Sequence, residues 1–369
     1  MKFVVDENIP GARDMLVRLG DVHCLPGREI DAAAVHDADA LLVRSVTRVD
    51  AALVTGSRLR FVGTATAGTD HVAASALREH GIHFVSAPGS NADSVADYVL
   101  SALAVAFRGK GELESRRVGV IGCGEVGSRV LRRLRALGVT CVPCDPFRDD
   151  VEGNAPLERT LDCEVLSLHV PLTTGGAHPT FHLLDRDRLS QLPEDALLIN
   201  TARGPVVDNA ALLECLRARH DMRAVLDVWE PEPDYDPELL ARCLIGTPHI
   251  AGYAADGKRR GAIHVVRAAL AFFGRAPDEA TSDATVSLPL AGALPVAARS
   301  WQEAVLSAYD VSGDDARLRA SLVVHPDSRG AAFDRLRKEY PDRREFSAWS
   351  CEDLPEPIAR QLRAIGFSG

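Results

Sequence analysis

No stretch of the chain approaches the roughly eighteen consecutive apolar residues of a membrane helix; the best candidate, Leu100 to Phe107, is far too short. The opening residues Met-Lys-Phe-Val-Val run straight into Asp6 and Glu7, which leaves no apolar core for a signal peptide and gives the expectation of a cytoplasmic protein. Cysteine is sparse and irregular, and eight in 369 residues do not make a disulfide framework. Cys141 and Cys144 form a lone C-x-x-C on a segment that reads as a strand, with no second pair, so no metal site is expected. Excess positive charge is missing too. Forty-two Lys and Arg against 52 Asp and Glu leave a formal charge of −10, which argues against nucleic acid or an anionic membrane as partner. An anionic ligand therefore needs a local basic pocket. No internal repeat or low-complexity tract stands out.

What remains is a chain with 46% hydrophobic and 25% charged residues, rich enough to bury sizeable cores. At about 100–200 residues per domain, its length predicts two or three domains. Short apolar runs recur at Phe3 to Val5, Leu41 to Val43, Phe61 to Gly63, Val118 to Ile121, Val139 to Cys144, Val165 to Leu168, Leu197 to Ile199 and Ala224 to Val228. Helical periodicity fills segments between them, as in Gly127 to Leu137 and Asn209 to Ala218. Strand and helix in alternation predict parallel sheets with right-handed crossovers. The alternation restarts after a long helix pattern at Asn91 to Phe107, and a second long pattern at Lys258 to Phe273 can return the chain to its first part.

The expected architecture is α/β, with two doubly wound parallel-sheet domains of the Rossmann or flavodoxin kind and a small C-terminal α+β module. The expected boundaries are 1–92 with 255–280, then 93–254, then 281–369.

Arg117 to Ile121 reads as a strand, and it runs into Gly122-Cys-Gly124-Glu125-Val126-Gly127 and a helix start. In this G-x-G-x-x-G pattern the first Gly permits a tight turn, the second lets a pyrophosphate approach the backbone, and the third lets helix and strand pack closely. A second strand ends in Asp145, eighteen residues after Gly127, where a carboxylate can accept hydrogen bonds from the adenosine ribose. The combination predicts NAD binding, with NADP disfavoured because Asp145 repels a 2′-phosphate. Arg148, close by, works against that preference.

Three further segments stand at predicted strand ends: Asn200-Thr201-Ala202-Arg203, Asp227-Val-Trp-Glu230-Pro-Glu232-Pro and Pro248-His249-Ile-Ala-Gly252-Tyr253. Arg203 suits a substrate carboxylate. His249 suits a hydroxyl proton that must be taken near neutrality. A carboxylate that orients the imidazole completes the set, and spacing alone leaves Glu230 and Glu232 as alternatives. His178 and His182 flank Pro179 and are weaker candidates.

The glycine motif with Asp145, His169-Val170-Pro-Leu, Asn200 to Gly204, Asp227 to Pro233 and Pro248 to Gly252 together resemble the D-2-hydroxyacid dehydrogenase family, in order and spacing. Val4 to Asn8, Val43-Arg44-Ser45-Val-Thr, Phe61 to His71, Tyr253, and the tail Leu336 to Tyr340 with Arg343-Arg344-Glu345 resemble one branch of it over nearly the whole chain. That branch oxidises 4-phospho-D-erythronate to 3-hydroxy-2-oxo-4-phosphooxybutanoate, in pyridoxal 5′-phosphate synthesis.

The resemblance implies Arg203 and Glu232 as active-site residues and His249 as acid/base. It implies NAD contacts at Asp145, Val170 through its backbone, Thr201, Ala202, Arg203, Asp227 and Gly252, beside the turn residues Gly122, Gly124, Glu125, Val126 and Gly127. Substrate contacts are implied at Ser45, Thr66, Gly68 and Tyr253, and dimerisation through the C-terminal module. Arg44, after an apolar strand and beside Ser45, is the local candidate for the phosphate; Arg343 and Arg344 are either a solvated charged face or a source of charge for a partner subunit. Competing expectations are a dehydrogenase for another 2-hydroxy acid such as 3-phosphoglycerate, and an NAD-sensing protein-binding scaffold.

Overall fold

The alternating apolar runs build two parallel sheets. The computed structural model describes residues 1–107, 113–275, 294–323 and 328–369; the expected boundary at 280/281 and the loop-like Ser287 to Gly292 lie outside the described residues. The chain divides into two compact units. One comprises Met1–Asn91 with the described part of Ala254–Ala291, the other Ala92–Tyr253 with the described part of Gly292–Gly369. Among the described residues no helix is long and apolar enough to cross a membrane.

In the first unit, β1 (Lys2–Asp6), β2 (Asp21–Leu25), β3 (Ala40–Val43), β4 (Phe61–Thr64) and β5 (His83–Val85) lie in the order β2-β1-β3-β4-β5, every pair parallel. β3 and β4 are buried throughout, which is why they read as unbroken apolar runs. The helix Ala255–Phe272 packs on β4. Its Gly261 comes so near the chain after β4 that a Cβ there would lie 2.4 Å from the Ala65 carbonyl oxygen.

The second unit holds β6 (Arg117–Ile121), β7 (Thr140–Cys144), β8 (Val165–Leu168), β9 (Leu197–Asn200), β10 (Arg223–Leu226) and β11 (Ile245–Gly246), ordered β11-β10-β9-β8-β6-β7 and again all parallel. From β6 the chain steps out to β7 and then crosses to β8 on the other side. The carboxyl ends of β6 and β8 therefore border a topological switch point, where open α/β sheets leave a crevice for ligands.

The long helix Ala92–Ala106 belongs wholly to this unit, with thirteen of its fifteen residues buried. Its polar groups are matched rather than solvated. Asp97 forms a buried ion pair with Arg133 and accepts the Phe346 N–H at 2.9 Å; Ser94 donates to Glu345 at 2.6 Å and Ser101 to the Tyr309 carbonyl at 2.7 Å. Burial pushes the Asp97 carboxyl up to about 6, with Arg133 pulling the other way.

Three of those partners come from the C-terminal residues, which cluster with the second unit. They supply the helices Trp301–Ala308, Ser312–Ala320, Arg329–Lys338 and Glu356–Ile365, and a two-stranded parallel pairing of Leu294–Pro295 with Trp349–Ser350.

Candidate active site

The glycine turn is shaped by close approaches. Gly122 follows β6 with φ of 87°, and a Cβ there would lie 2.7 Å from the His169 carbonyl oxygen and 2.8 Å from Cγ1 of Val170. At Gly127 a Cβ would come 1.9 Å from the Gly122 carbonyl oxygen, so only glycine lets the helix Glu125–Ala136 close on the strand. Gly124 differs from both: a Cβ there meets nothing within 4 Å. The protein leaves the space over Gly124 open at the N-terminus of a twelve-residue helix, whose first N–H groups have no intrahelical acceptor. These residues fit a pyrophosphate.

Asp145 stands just past β7. Its carboxylate accepts the Cys123 N–H at 2.9 Å and the Phe147 N–H at 3.0 Å, which fixes it beside the glycine turn. Arg148 forms a two-pronged ion pair with Asp150, both contacts 2.6 Å, and donates to the Cys123 carbonyl at 3.2 Å. Much of its charge is thereby offset, which leaves Asp145 as the dominant local charge. After β8, His169 donates or accepts at Ser167 (2.8 Å) and Thr201 (3.3 Å), and burial lowers its pKa to about 3.

Beyond β9, Asn200 ties its own loop together: its side chain accepts the Ala202 N–H at 3.0 Å and donates to the Arg203 carbonyl at 2.9 Å. Arg203 donates to the Ala202 carbonyl at 2.7 Å. A Cβ on the next residue, Gly204, would lie 1.7 Å from the Trp229 carbonyl oxygen, so this loop is pressed against the one that follows β10.

That loop and the one after β11 carry the acid/base pair. Glu232 Oε2 lies 2.8 Å from His249 Nδ1, and Oε1 accepts the Trp229 N–H at 3.0 Å. Burial drives the Glu232 carboxyl upward, but His249, the Trp229 N–H and Arg337 outweigh it and hold the group below its ordinary value. His249 has φ of 56°, a left-handed conformation that costs a non-glycine residue about 1–3 kcal/mol and persists only where neighbours enforce it. Asp227 enforces it. Its carbonyl accepts the His249 N–H at 2.7 Å; its buried carboxylate accepts the Ile250 and Ala251 N–H groups at 2.8 and 2.9 Å and the Thr247 hydroxyl at 2.6 Å. Burial, the largest influence on Asp227, raises its pKa despite those donors.

Glu230, the alternative to Glu232, faces elsewhere: its carboxylate lies 3.0 Å from Nε2 of His182. Gly252 and Tyr253 close the His249 loop, and the Tyr253 N–H donates to the Ile250 carbonyl at 2.9 Å.

In the first unit, Arg44 and Ser45 follow β3, and Thr66 and Gly68 follow β4, so all four lie at the carboxyl ends of adjacent strands. Thr66 donates to the Gly68 carbonyl at 2.8 Å; Arg44 reaches the Asn8 carbonyl at 3.4 Å; Ser45 is exposed.

One of the two tail arginines requires a correction. Arg343 is neither a solvated charge nor a group offered to a partner: it is 7% exposed, donates to the Ala251 and Ser94 carbonyls of its own unit, and lies 4.3 Å over the Tyr309 ring. A charged run in sequence gives no hint that one member is folded inward onto aromatic faces. Thr247 is a further residue that sequence reasoning does not reach. Thr247 lies between Asp227 and the hydroxyl of Tyr98, at 2.6 and 2.7 Å; a lone Thr before Pro248 carries no signal of that.

Residues 101–251 match the NAD-binding domain of the D-isomer specific 2-hydroxyacid dehydrogenases, and residues 289–366 match a domain of unknown function. An erythronate-4-phosphate dehydrogenase of Klebsiella pneumoniae (strain 342) is 46% identical over 378 residues, covering 100% of this chain and 98% of the relative. One from Pseudomonas putida (strain W619) is 48% identical, covering 99% of both. Among solved structures, an NAD-bound 3-phosphoglycerate dehydrogenase of Entamoeba histolytica superposes with a TM-score of 0.66 at 26% identity, over 74% of this chain and 95% of that one. The TT0316 protein of Thermus thermophilus does so at 0.66 and 31%, over 75% and 98%. The chain thus belongs to the erythronate-4-phosphate dehydrogenase family, an NAD-dependent branch of the D-isomer specific 2-hydroxyacid dehydrogenases.

Proposed function

We propose that this chain oxidises 4-phospho-D-erythronate to 3-hydroxy-2-oxo-4-phosphooxybutanoate, a step of pyridoxal 5′-phosphate synthesis. The observation that carries the reading is the 2.8 Å contact between Glu232 and His249, in loops at the carboxyl end of the same parallel sheet whose β6 leads into the glycine turn. Gly122 to Gly127, Asp145, Val170, Thr201 to Arg203, Asp227 and Gly252 are the residues assigned to NAD. Bound there, NAD supplies the acceptor for the hydride that leaves C2 as the carbonyl forms. Arg203 holds the substrate carboxylate with its planar fork. His249 takes the hydroxyl proton at Nε2 while Glu232 holds Nδ1 and balances the imidazolium charge. Asp227, through its three donors, keeps the His249 loop in its left-handed turn.

The same reading assigns Ser45, Thr66, Gly68 and Tyr253 to the substrate and Arg44 to its phosphate. It takes 1–92 with 255–280 as the substrate domain, 93–254 as the NAD domain and 281–369 as a dimerisation domain of a cytoplasmic homodimer.

Purified protein incubated in turn with 4-phospho-D-erythronate, 3-phosphoglycerate and D-lactate, with NADH followed, tests this. Preference for either of the last two overturns the substrate assignment. Absence of turnover with all three favours a scaffold that senses NAD.

A further inference from the structure

We propose that Arg337, in the C-terminal segment that matches a domain of unknown function, is a positioning residue for the Glu232 and His249 pair and for Tyr253. The helix Arg329–Lys338 lies on the loop that carries Glu232. Gly330 faces it, since a Cβ there would sit 3.0 Å from Asp234 Oδ1 and 3.1 Å from Cγ of Pro233; Phe333 packs its ring 5.7 Å from that of Tyr235. Arg337 continues the same helix face, three and seven residues being the spacings that align on one side. Its guanidinium lies 6.0 Å over the Phe333 ring and 5.7 Å over the Tyr253 ring, and its side chain hydrogen-bonds that of Tyr253. The ion pair to Asp334 is long, at 3.9 Å, and Nε is buried with no hydrogen-bond partner among the described residues. Its pairing to Asp334 is thus loose, and its closest ring contacts are to Phe333 and to Tyr253 beside the His249 loop.

Burial opposes the charge on Arg337, and Tyr253, Glu232 and Asp334 favour it; in turn Arg337 helps to keep Glu232 ionised. A carboxylate beside an imidazole favours the ring's charged form. A fixed cation behind the carboxylate offsets part of that pull. The groups that bear on the pair are Glu232 and Arg337, with Asp334 on Arg337, Tyr253 beside it, and Asp227 under the His249 loop; Glu230 is turned to His182.

The inference rests on His249 as acid/base, and its test is read in two ways. With the full chain, Arg337→Gln is expected to move the acid limb of the kcat/KM profile for 4-phospho-D-erythronate to higher pH by about half to one unit, as for charges several ångströms apart at intermediate dielectric. The nitrogen NMR titration of the His249 ring should move the same way. Arg337→Lys should keep the limb in place, with KM for the substrate raised by the weaker grip on Tyr253. Should the Gln variant not fold, Arg337→Met, which keeps the apolar stem over the rings, repeats the measurement.

An unmoved NMR titration in the uncharged variant overturns the proposal, as does an equal shift in the Lys variant. Loss confined to phosphorylated substrate with an unmoved limb makes Arg337 a substrate ligand and overturns it as well. If the unmodified protein oxidises no 2-hydroxy acid, the functional reading fails, while the NMR titration still decides the electrostatic coupling.

Discussion

His249 presents Nδ1 to Glu232 Oε2 at 2.8 Å, so the Nδ1–H is donated to the carboxylate and Nε2 is left as the ring nitrogen that can exchange a proton. His249→Ala is therefore expected to lower kcat roughly 10²–10⁴-fold with NAD affinity nearly unchanged. Steady-state turnover beside a fluorescence titration of NAD checks this; near-native turnover would remove His249 from the mechanism.

Glu232→Gln deletes the charge that steadies the imidazolium. The acid limb of the kcat/KM profile should move to lower pH, whereas Glu230→Gln should leave it in place, because Glu230 is spent on His182 at 3.0 Å. A limb that follows Glu230 instead would reverse the assignment of the two carboxylates.

The three glycines of the turn should separate into structure and binding. Gly124→Val adds side-chain atoms where a Cβ meets no protein atom within 4 Å, so stability should hold while NAD binding is lost. Gly127→Ala forces a Cβ to 1.9 Å from a carbonyl oxygen and should cost about 2 kcal/mol or more of stability. Thermal melts paired with NAD titrations distinguish the two; a Gly124 variant that binds normally would place the pyrophosphate elsewhere.

Asp145→Ala removes the ribose acceptor and the charge that disfavours a 2′-phosphate. NAD binding should weaken and the ratio of NAD to NADP preference should narrow. Equal use of NADP by the unmodified protein would show that Asp145 does not set the choice.

His169 predicts an acid-sensitive fold. Burial lowers its pKa from 6.5 to about 3, so above the higher value the ring is neutral in folded and unfolded chains alike. Below it the unfolded chain takes up a proton that the folded chain refuses, and stability falls as pH drops through that window. Between pH 7 and pH 5 this residue should cost about 2 kcal/mol. Urea unfolding should show that loss in the native protein and a smaller one in His169→Gln. Parallel curves would mean that the folded chain takes up the proton as readily as the unfolded one.

Parallel sheets were legible because β3, β4, β8 and β9 are buried on both faces and leave unbroken apolar runs. β2 was not, since its exposed edge admits Asp, His and Cys; β5 and β11, of three and two residues, are too short to show a period. The helix at the glycine turn begins at Glu125, two residues before its expected start, because Gly124 already stands at the cap. His249 and Asp145 could be named from spacing at strand ends. What spacing could not resolve was Glu232 against Glu230, since both precede proline and only the fold decides which one meets a ring nitrogen of His249. Arg337 and Arg343 were beyond reach for a related reason: their partners lie about a hundred residues upstream, at Glu232, Tyr253 and Ala251.

The burial of the helix Ala92–Ala106 bears on how this chain can be handled as material. A recombinant fragment cut before residue 294 would strip from that helix the cover of Trp301–Ala308, and would leave Asp97 without the Phe346 N–H and Ser94 without Glu345. An apolar stripe several turns long would then face solvent, and such stripes drive self-association. Minimal catalytic cores, tag placements and chimeras with shorter dehydrogenases should accordingly treat the C-terminal segment as part of the second unit's interior.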